Sequence, residues 1–137
     1  MRLTVERVLL LKSADVFSEV PEVGLLELAS SLEEIEVPRG RSVIEKGEIG
    51  TSLYIVVDGR VRVHDGDREL RTLGPRELFG ELAALDPEPR SASVTALEDT
   101  LLFRLDERSL YDLMAEDPSL VRGIIRVLCR RLRTAES

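Results

Sequence analysis

The segment from Phe79 to Val94, FGELAALDPEPRSASV, places two glutamates, one aspartate, one arginine and two serines in an otherwise apolar frame. Good helix formers occupy residues 81–85, directly after Gly80. The first N–H groups of a helix lack internal partners and carry partial positive charge, so they can bind an anion. The absence of a side chain at Gly80 would let a ligand approach the backbone. The segment therefore predicts an anion site at the start of a short helix.

Arg90 would add a full positive charge to this site, because its planar guanidinium can form two parallel hydrogen bonds to phosphate oxygens. Pro89 stiffens the loop that holds it. Glu81 is a poor neighbour for an anion, but its carboxylate is a strong acceptor for a sugar hydroxyl. A ligand with a phosphate at one end and a ribose hydroxyl at the other explains both charges. The alternative is a structural ion pair between Glu81 and Arg90.

Composition limits what surrounds this site. A chain of 137 residues, 43% hydrophobic and 33% charged, fits one soluble domain with one core, and we predict a single domain over residues 1–137. The net charge of -7 argues against binding of nucleic-acid polymers or anionic membranes, so a phosphate site must be local. Single His64 and Cys129 residues speak against a multi-histidine metal site and an internal disulfide. We expect no catalytic cofactor and a cytoplasmic location, or the cytosolic face of a larger membrane protein.

Two helices are predicted within residues 1–31. The run MRLTVERVLLLK is interrupted by charges and followed by no cleavage pattern, so it is neither a signal peptide nor a membrane span. Helical spacing instead indicates a short amphipathic helix capped by Thr4, with Val5, Val8, Leu9 and Lys12 on one side. A second helix is predicted to start at Pro21. Its apolar side comprises Leu25, Leu26, Leu28 and Ala29, and Gly24 weakens it.

Residues 33–105 change to a period of about two, with glycines between short apolar runs. This pattern predicts a mainly β fold with flanking helices: an eight-stranded jelly roll that limits exposed strand edges. Asp58-Gly59 and Asp65-Gly66 are dipeptides typical of two-residue hairpin turns. Gly47, Gly50 and Gly59 are expected to serve turn geometry. The eight predicted strands lie in IEVPRG, RSVIEKG, SLYIVVDG, RVRVHDG, RELRTLG, ELFGEL, SASVTAL and TLLFRL.

Two C-terminal helices are predicted over residues 106–133. Asp106 can cap the first, which carries Leu110, Leu113 and Met114, and Asp117-Pro118 is typical of the start of the second. The last helix alternates an apolar side with a basic side, which predicts one packed and one solvated face. The apolar side comprises Leu120, Val121, Ile124, Leu128 and Leu132; the basic side comprises Arg122, Arg126 and Arg130.

These residues carry a resemblance to a known family. FGELAALDPEPRSASVTA resembles the phosphate-binding cassette of cyclic nucleotide-binding domains, of the type in cyclic-AMP receptors and protein kinase A regulatory subunits: F-G-E-L-A, a variable turn, then P-R-[SAT]-A. KGEIGTSLYIVVDGRVRV is similar to the family's G-x-x-G-x-x-L-Y-I-V-x-x-G-x-V strands. The order of helix, roll and two helices also fits. In one departure, Asp86-Pro87-Glu88 puts two acids where the family often has glycine and neutral residues.

The resemblance implies roles at the matching positions. Glu81 would accept the ribose 2'-hydroxyl and Arg90 would pair with the cyclic phosphate. The remaining ligand-binding positions in the pocket are Gly80, Leu82, Ala83, Ser91 and Ala92. The implied ligand is cyclic AMP, with cyclic GMP as the alternative, because Ser91 does not decide the base.

Three functional classes follow. We expect a non-enzymatic cyclic nucleotide sensor whose C-terminal helices move on binding and signal to an output domain outside this sequence or to a partner protein. The alternative is the same fold with an empty pocket, acting as an interaction domain; a homodimer through the last helix, with Leu128 and Leu132, is possible in either case. A cupin-like enzyme would need several histidines around a metal, which a single His64 does not provide.

Overall fold

The computed structural model describes residues 4–14, 17–80 and 89–136. The chain divides into two compact units. One is a β unit, Leu32–Glu107, and the other is a helical unit formed by Met1–Ser31 and Arg108–Ser137. The single domain predicted over residues 1–137 stays a prediction.

The described residues of the β unit form eight antiparallel strands, and each overlaps a predicted run, although the first strand begins before its run, at Glu33, and the last ends after its run, at Asp106. They are β1 Glu33–Val37, β2 Ser42–Ile44, β3 Ser52–Asp58, β4 Val61–Asp65, β5 Arg68–Leu73, β6 Leu78–Phe79, β7 Ser93–Ala96 and β8 Thr100–Asp106. The first sheet has the order β1-β8-β3-β6 and the second the order β2-β7-β4-β5. The predicted mainly β roll with helices before and after it is confirmed.

Both sheets contribute to one apolar core. Val61 and Val63 of β4 are buried, while Arg62 and His64 alternate with them and are only half-buried. Alternation with a period of two places one face of each strand toward the core. The core cluster comprises Val37, Ile44, Val56, Val61, Val63, Leu73, Phe79, Val94, Ala96 and Leu102.

One of the two predicted hairpin turns is present. Asp65 pairs with Arg68 across the β4–β5 turn, and Gly66 has a φ of 59°. The prediction for Asp58-Gly59 is wrong, because β3 and β4 belong to different sheets and do not pair. Gly59 still has a positive φ, 94°, but the turn carries the chain from the first sheet to the second. The dipeptide indicates the backbone conformation and does not determine which strands pair.

The helical unit begins with α1, Thr4–Ser13, and α2, Glu22–Ser31. The predicted apolar side of α1 is wrong: Val5 and Leu9 are 67% and 62% exposed, and Leu11 is the buried residue. Helix α2 begins one residue after Pro21 and buries Leu25, Leu28 and Ala29, whereas Leu26 is 45% exposed.

Gly24 is part of how α2 packs. A Cβ at this position would lie 2.8 Å from the Asp117 carboxylate and 2.9 Å from Val20. Glycine at this position therefore lowers the helix propensity of α2, but it allows the side chains of Asp117 and Val20 to lie close to the helix backbone.

Two helices follow β8, namely α3, Glu107–Glu116, and α4, Pro118–Glu136. Asp117 caps α4 as predicted, because its carboxylate accepts a hydrogen bond from Ser119 N at 3.0 Å. Helix α4 buries Leu120, Ile124 and Val127. Of its predicted apolar side, Leu132 is 62% exposed and Val121 and Leu128 are half-buried.

The helices of the described ranges differ from membrane-spanning helices. None of them combines the length and the apolar run that a membrane crossing requires.

Gly59 and Gly66 provide a matched test of the inter-sheet turn. Both have positive φ, but a Cβ on Gly59 would lie 2.6 to 2.8 Å from atoms of Asp99 and Thr100, whereas a Cβ on Gly66 meets nothing within 4 Å. We expect Gly66→Ala to lower the free energy of unfolding by about 1 kcal/mol and Gly59→Ala by about 3 kcal/mol. Urea denaturation measures both, and equal losses would contradict a packing constraint at Gly59.

Candidate functional site

Gly80 marks one end of the predicted site. It follows β6, has a φ of 78°, and a Cβ there would lie 2.8 Å from Arg90 Nη1 and 2.9 Å from the Ser52 carbonyl oxygen. Both the backbone conformation and the close approach therefore favour glycine. Glu81, Leu82 and Ala83, with the short helix predicted over 81–85, lie outside the described residues.

The backbone of Arg90 is fixed against the segment that follows β2. Arg90 N donates to the Glu48 carbonyl at 2.7 Å, and Gly47 N donates to the Arg90 carbonyl at 2.9 Å. Ile49 and Pro89 form an antiparallel bridge next to these bonds. Gly47 has a φ of 93°, so the turn geometry predicted for this glycine is confirmed. Two segments distant in sequence are thereby held side by side.

The Arg90 side chain is half-buried and contacts the start of β3. Its Nη2 donates to the Ser52 carbonyl at 2.9 Å. A guanidinium has five N–H donors in one plane, a geometry that suits an anion such as phosphate. The structure thus brings Gly80 and Arg90 together, as the sequence predicted, and adds Ser52 as the acceptor that orients the guanidinium.

The residues after Arg90 differ in exposure. Ser91 is exposed, and Ala92 is half-buried and packs against the core of the roll. Ser93 is buried, and its hydroxyl accepts a hydrogen bond from Lys46 N at 2.9 Å. The ligand contacts assigned to Ser91 and Ala92 stay predictions.

Sequence reasoning missed Ser52 and interpreted Gly50 as a turn residue. Gly50 has no positive φ, but a Cβ on it would overlap Nε, Cζ and Nη2 of Arg90. The spacing G-x-x-G-x-x-L-Y was visible in residues 47–54, but nothing in it indicates that the second glycine faces an arginine 40 positions later.

His64 and Tyr54 both have structural contacts. His64 bonds the Gly66 carbonyl through Nδ1 at 2.9 Å and the Thr95 hydroxyl through Nε2 at 2.8 Å. Tyr54 stacks on Phe79 with ring centroids 5.0 Å apart, as expected of a residue packed against the core. Within the described ranges, no group of three or more His, Cys, Asp or Glu side chains is arranged to hold a metal ion.

The chain was compared with known proteins. It is 35% identical over 129 residues to the CRP-like cAMP-activated global transcriptional regulator of Mycobacterium tuberculosis, covering 90% of this chain and 58% of the relative. It is 40% identical over 104 residues to the cyclic AMP receptor protein of Thermus thermophilus, covering 72% and 48% respectively. The chain therefore spans about half the length of these curated relatives.

The fold of the chain is also similar to that of a solved structure. The N-terminal domain of a transcriptional regulator from Streptomyces coelicolor A3(2) superposes with a TM-score of 0.82 at 32% identity, covering 93% of this chain and 92% of that one. Residues 34–117, more than half of the chain, match the family described as cyclic nucleotide-binding domain. With the site at Gly80 and Arg90 in the matched region, the chain belongs to the cyclic nucleotide-binding domain family.

Proposed function

We propose that this chain is a sensor domain that binds cyclic AMP and passes the signal on through its C-terminal helices. The observation that carries the proposal is the position of the Arg90 guanidinium, half-buried beside Gly80 and oriented by the Ser52 carbonyl at 2.9 Å. A preorganised arginine next to a glycine, which has no side chain to keep a ligand from the backbone, suits a cyclic phosphate.

Electrostatics favour a small anion over a polyanion. The chain has a net charge of -7, which opposes the long-range approach of any phosphate. A local, half-buried guanidinium offsets this repulsion at short range, because charge pairs gain strength where water is partly excluded. A monoanionic cyclic nucleotide needs one such contact, whereas a nucleic-acid polymer needs a broad cationic surface.

The remaining pocket residues complete the proposed contacts. Glu81 accepts the ribose hydroxyl, while Leu82, Ala83 and Ser91 offer backbone groups and Ala92 closes the cassette against the core. The names of both relatives, a cAMP-activated regulator and a cyclic AMP receptor protein, support cyclic AMP over cyclic GMP. The domain acts without catalysis, in the cytosol, on an output domain or partner whose identity this sequence does not contain.

A further part of the proposal is a homodimer through α4. Val121, Ile125, Leu128 and Leu132 are spaced by four, three and four residues, which is the a/d repeat of a coiled coil. Ile125 and Leu132 are 55% and 62% exposed, and the other two are half-buried. This stripe, defined by the four residues, differs from the side that α4 buries with Leu120, Ile124 and Val127.

Nucleotide binding is tested by calorimetric titration with cyclic AMP and cyclic GMP. We expect saturable binding, tighter for cyclic AMP, and a loss of about 30-fold to several thousand-fold in Arg90→Ala, because the phosphate is left without its charged partner. Arg71→Ala, at an exposed arginine of the edge strand β5, is the control and should bind like the unaltered chain. Absence of binding by the unaltered chain would instead support the interaction domain with an empty pocket.

The dimer is tested by sedimentation of the variants Ile125→Glu and Leu132→Glu. A carboxylate in a coiled-coil seam is costly to bury, so each variant should shift the protein toward monomer by about tenfold or more in dissociation constant. Arg122→Glu introduces the same side chain at an exposed position outside the stripe and should leave the association intact. A monomeric unaltered chain, or equal effects of all three variants, would contradict the proposed interface.

A further inference from the structure

The guanidinium of Arg90 occupies the space where a side chain at residue 50 would lie. A Cβ built on Gly50 would overlap three atoms of that side chain, including Nε. The glycines with positive φ are Gly40, Gly47, Gly59, Gly66 and Gly80, so the backbone of Gly50 is one that alanine can adopt. What glycine provides at position 50 is room for Arg90.

The backbone segments that contain Gly50 and Arg90 cannot separate easily to make room for a side chain at position 50. On the Arg90 side, hydrogen bonds of 2.7 and 2.9 Å join its N–H and carbonyl to Glu48 and Gly47. On the other side of Gly50, the Thr51 carbonyl accepts a bond from Glu107 N at 2.7 Å. Because both sides of Gly50 are tied, an added methyl group would displace the arginine side chain rather than the main chain.

The displaced side chain would lose its orienting partner. Arg90 Nη2 donates to the Ser52 carbonyl at 2.9 Å, and that oxygen also faces Gly80, the glycine at the start of the cassette. A guanidinium oriented by a fixed carbonyl has its planar donor groups in a defined direction, which lowers the ordering cost of binding a phosphate.

We propose that Gly50 is a positioning residue for nucleotide binding, which acts together with the Ser52 carbonyl to hold Arg90 in the orientation that receives the phosphate. The ligand in this inference rests on the proposed function, whereas the orientation of Arg90 can be measured without any ligand.

The first experiment is a double-mutant cycle. Cyclic AMP affinity is measured for the unaltered chain, Gly50→Ala, Arg90→Ala and the double variant, at protein concentrations that reach weak binding. We expect Gly50→Ala to weaken binding about tenfold or more, the effect of losing one charge-assisted hydrogen bond. The double variant should bind like Arg90→Ala alone, because the group that Gly50 positions is then absent.

Gly74→Ala is the matched control. Gly74 also lacks a positive φ, and a Cβ on it would meet only Arg60 Cγ, at 3.9 Å. This variant should keep full affinity. Affinity in Gly50→Ala equal to that of the unaltered chain, or losses that add fully in the double variant, would overturn the inference.

A second measurement needs no nucleotide. In ¹⁵N-labelled protein, the Arg90 Nε–H signal, assigned by its absence in Arg90→Lys, should shift in Gly50→Ala and stay in place in Gly74→Ala. If the unaltered chain binds neither cyclic nucleotide, the proposed function fails and this signal alone decides the inference. An unchanged signal in Gly50→Ala overturns it.

Whether the variants fold also tests the role of Gly50. If Gly50→Ala does not fold but the double variant with Arg90→Ala does, the overlap with Arg90 is the cause and the inference is supported. If neither folds, Gly50 is required by the main chain itself and the inference is wrong.

Discussion

The hydrogen bond between the Arg90 guanidinium and the Ser52 carbonyl is the contact around which the site is organised. A half-buried positive charge needs acceptors in place of water, and a carbonyl at 2.9 Å supplies one at a defined position. The guanidinium can reach that oxygen because Gly50 and Gly80 have no side chains that would occupy the same space. The Arg90 guanidinium, the Ser52 carbonyl and the two glycines therefore form one arrangement.

This arrangement depends on which of the two sheets each strand of the roll belongs to. Strand β6 ends at Phe79 in the first sheet, and β7 begins at Ser93 in the second. Residues 80–92 therefore leave one sheet and enter the other. Within this connection, Gly80 lies at one end and Arg90 near the other; backbone bonds fix Arg90 to Gly47 and Glu48, and its side chain lies beside Gly80. The strands supply rigidity, and the candidate site lies at the two ends of the connection.

Local patterns predicted local structure well in this chain. All eight strands, the Asp117 cap and the left-handed conformations of Gly59 and Gly66 follow from residue types and spacing. Strand pairing was predicted less well, because Asp58-Gly59 has the turn conformation of a hairpin but joins two different sheets. The buried side of α1 also differed from its spacing. Short helices owe their orientation to the surface that they pack on, and sequence periodicity does not contain that surface.

The sequence by itself determined the roll, the family, and Gly80 and Arg90 as parts of one candidate site, because residue types at short spacing set backbone conformation and available charge. Tertiary structure decided what holds that charge in place. Ser52 and Gly50 lie 38 and 40 positions before Arg90, and only the folded backbone brings a carbonyl and an empty Cβ position to the guanidinium. A carbonyl oxygen belongs to every residue, so its role depends on position in space, which residue identity does not encode.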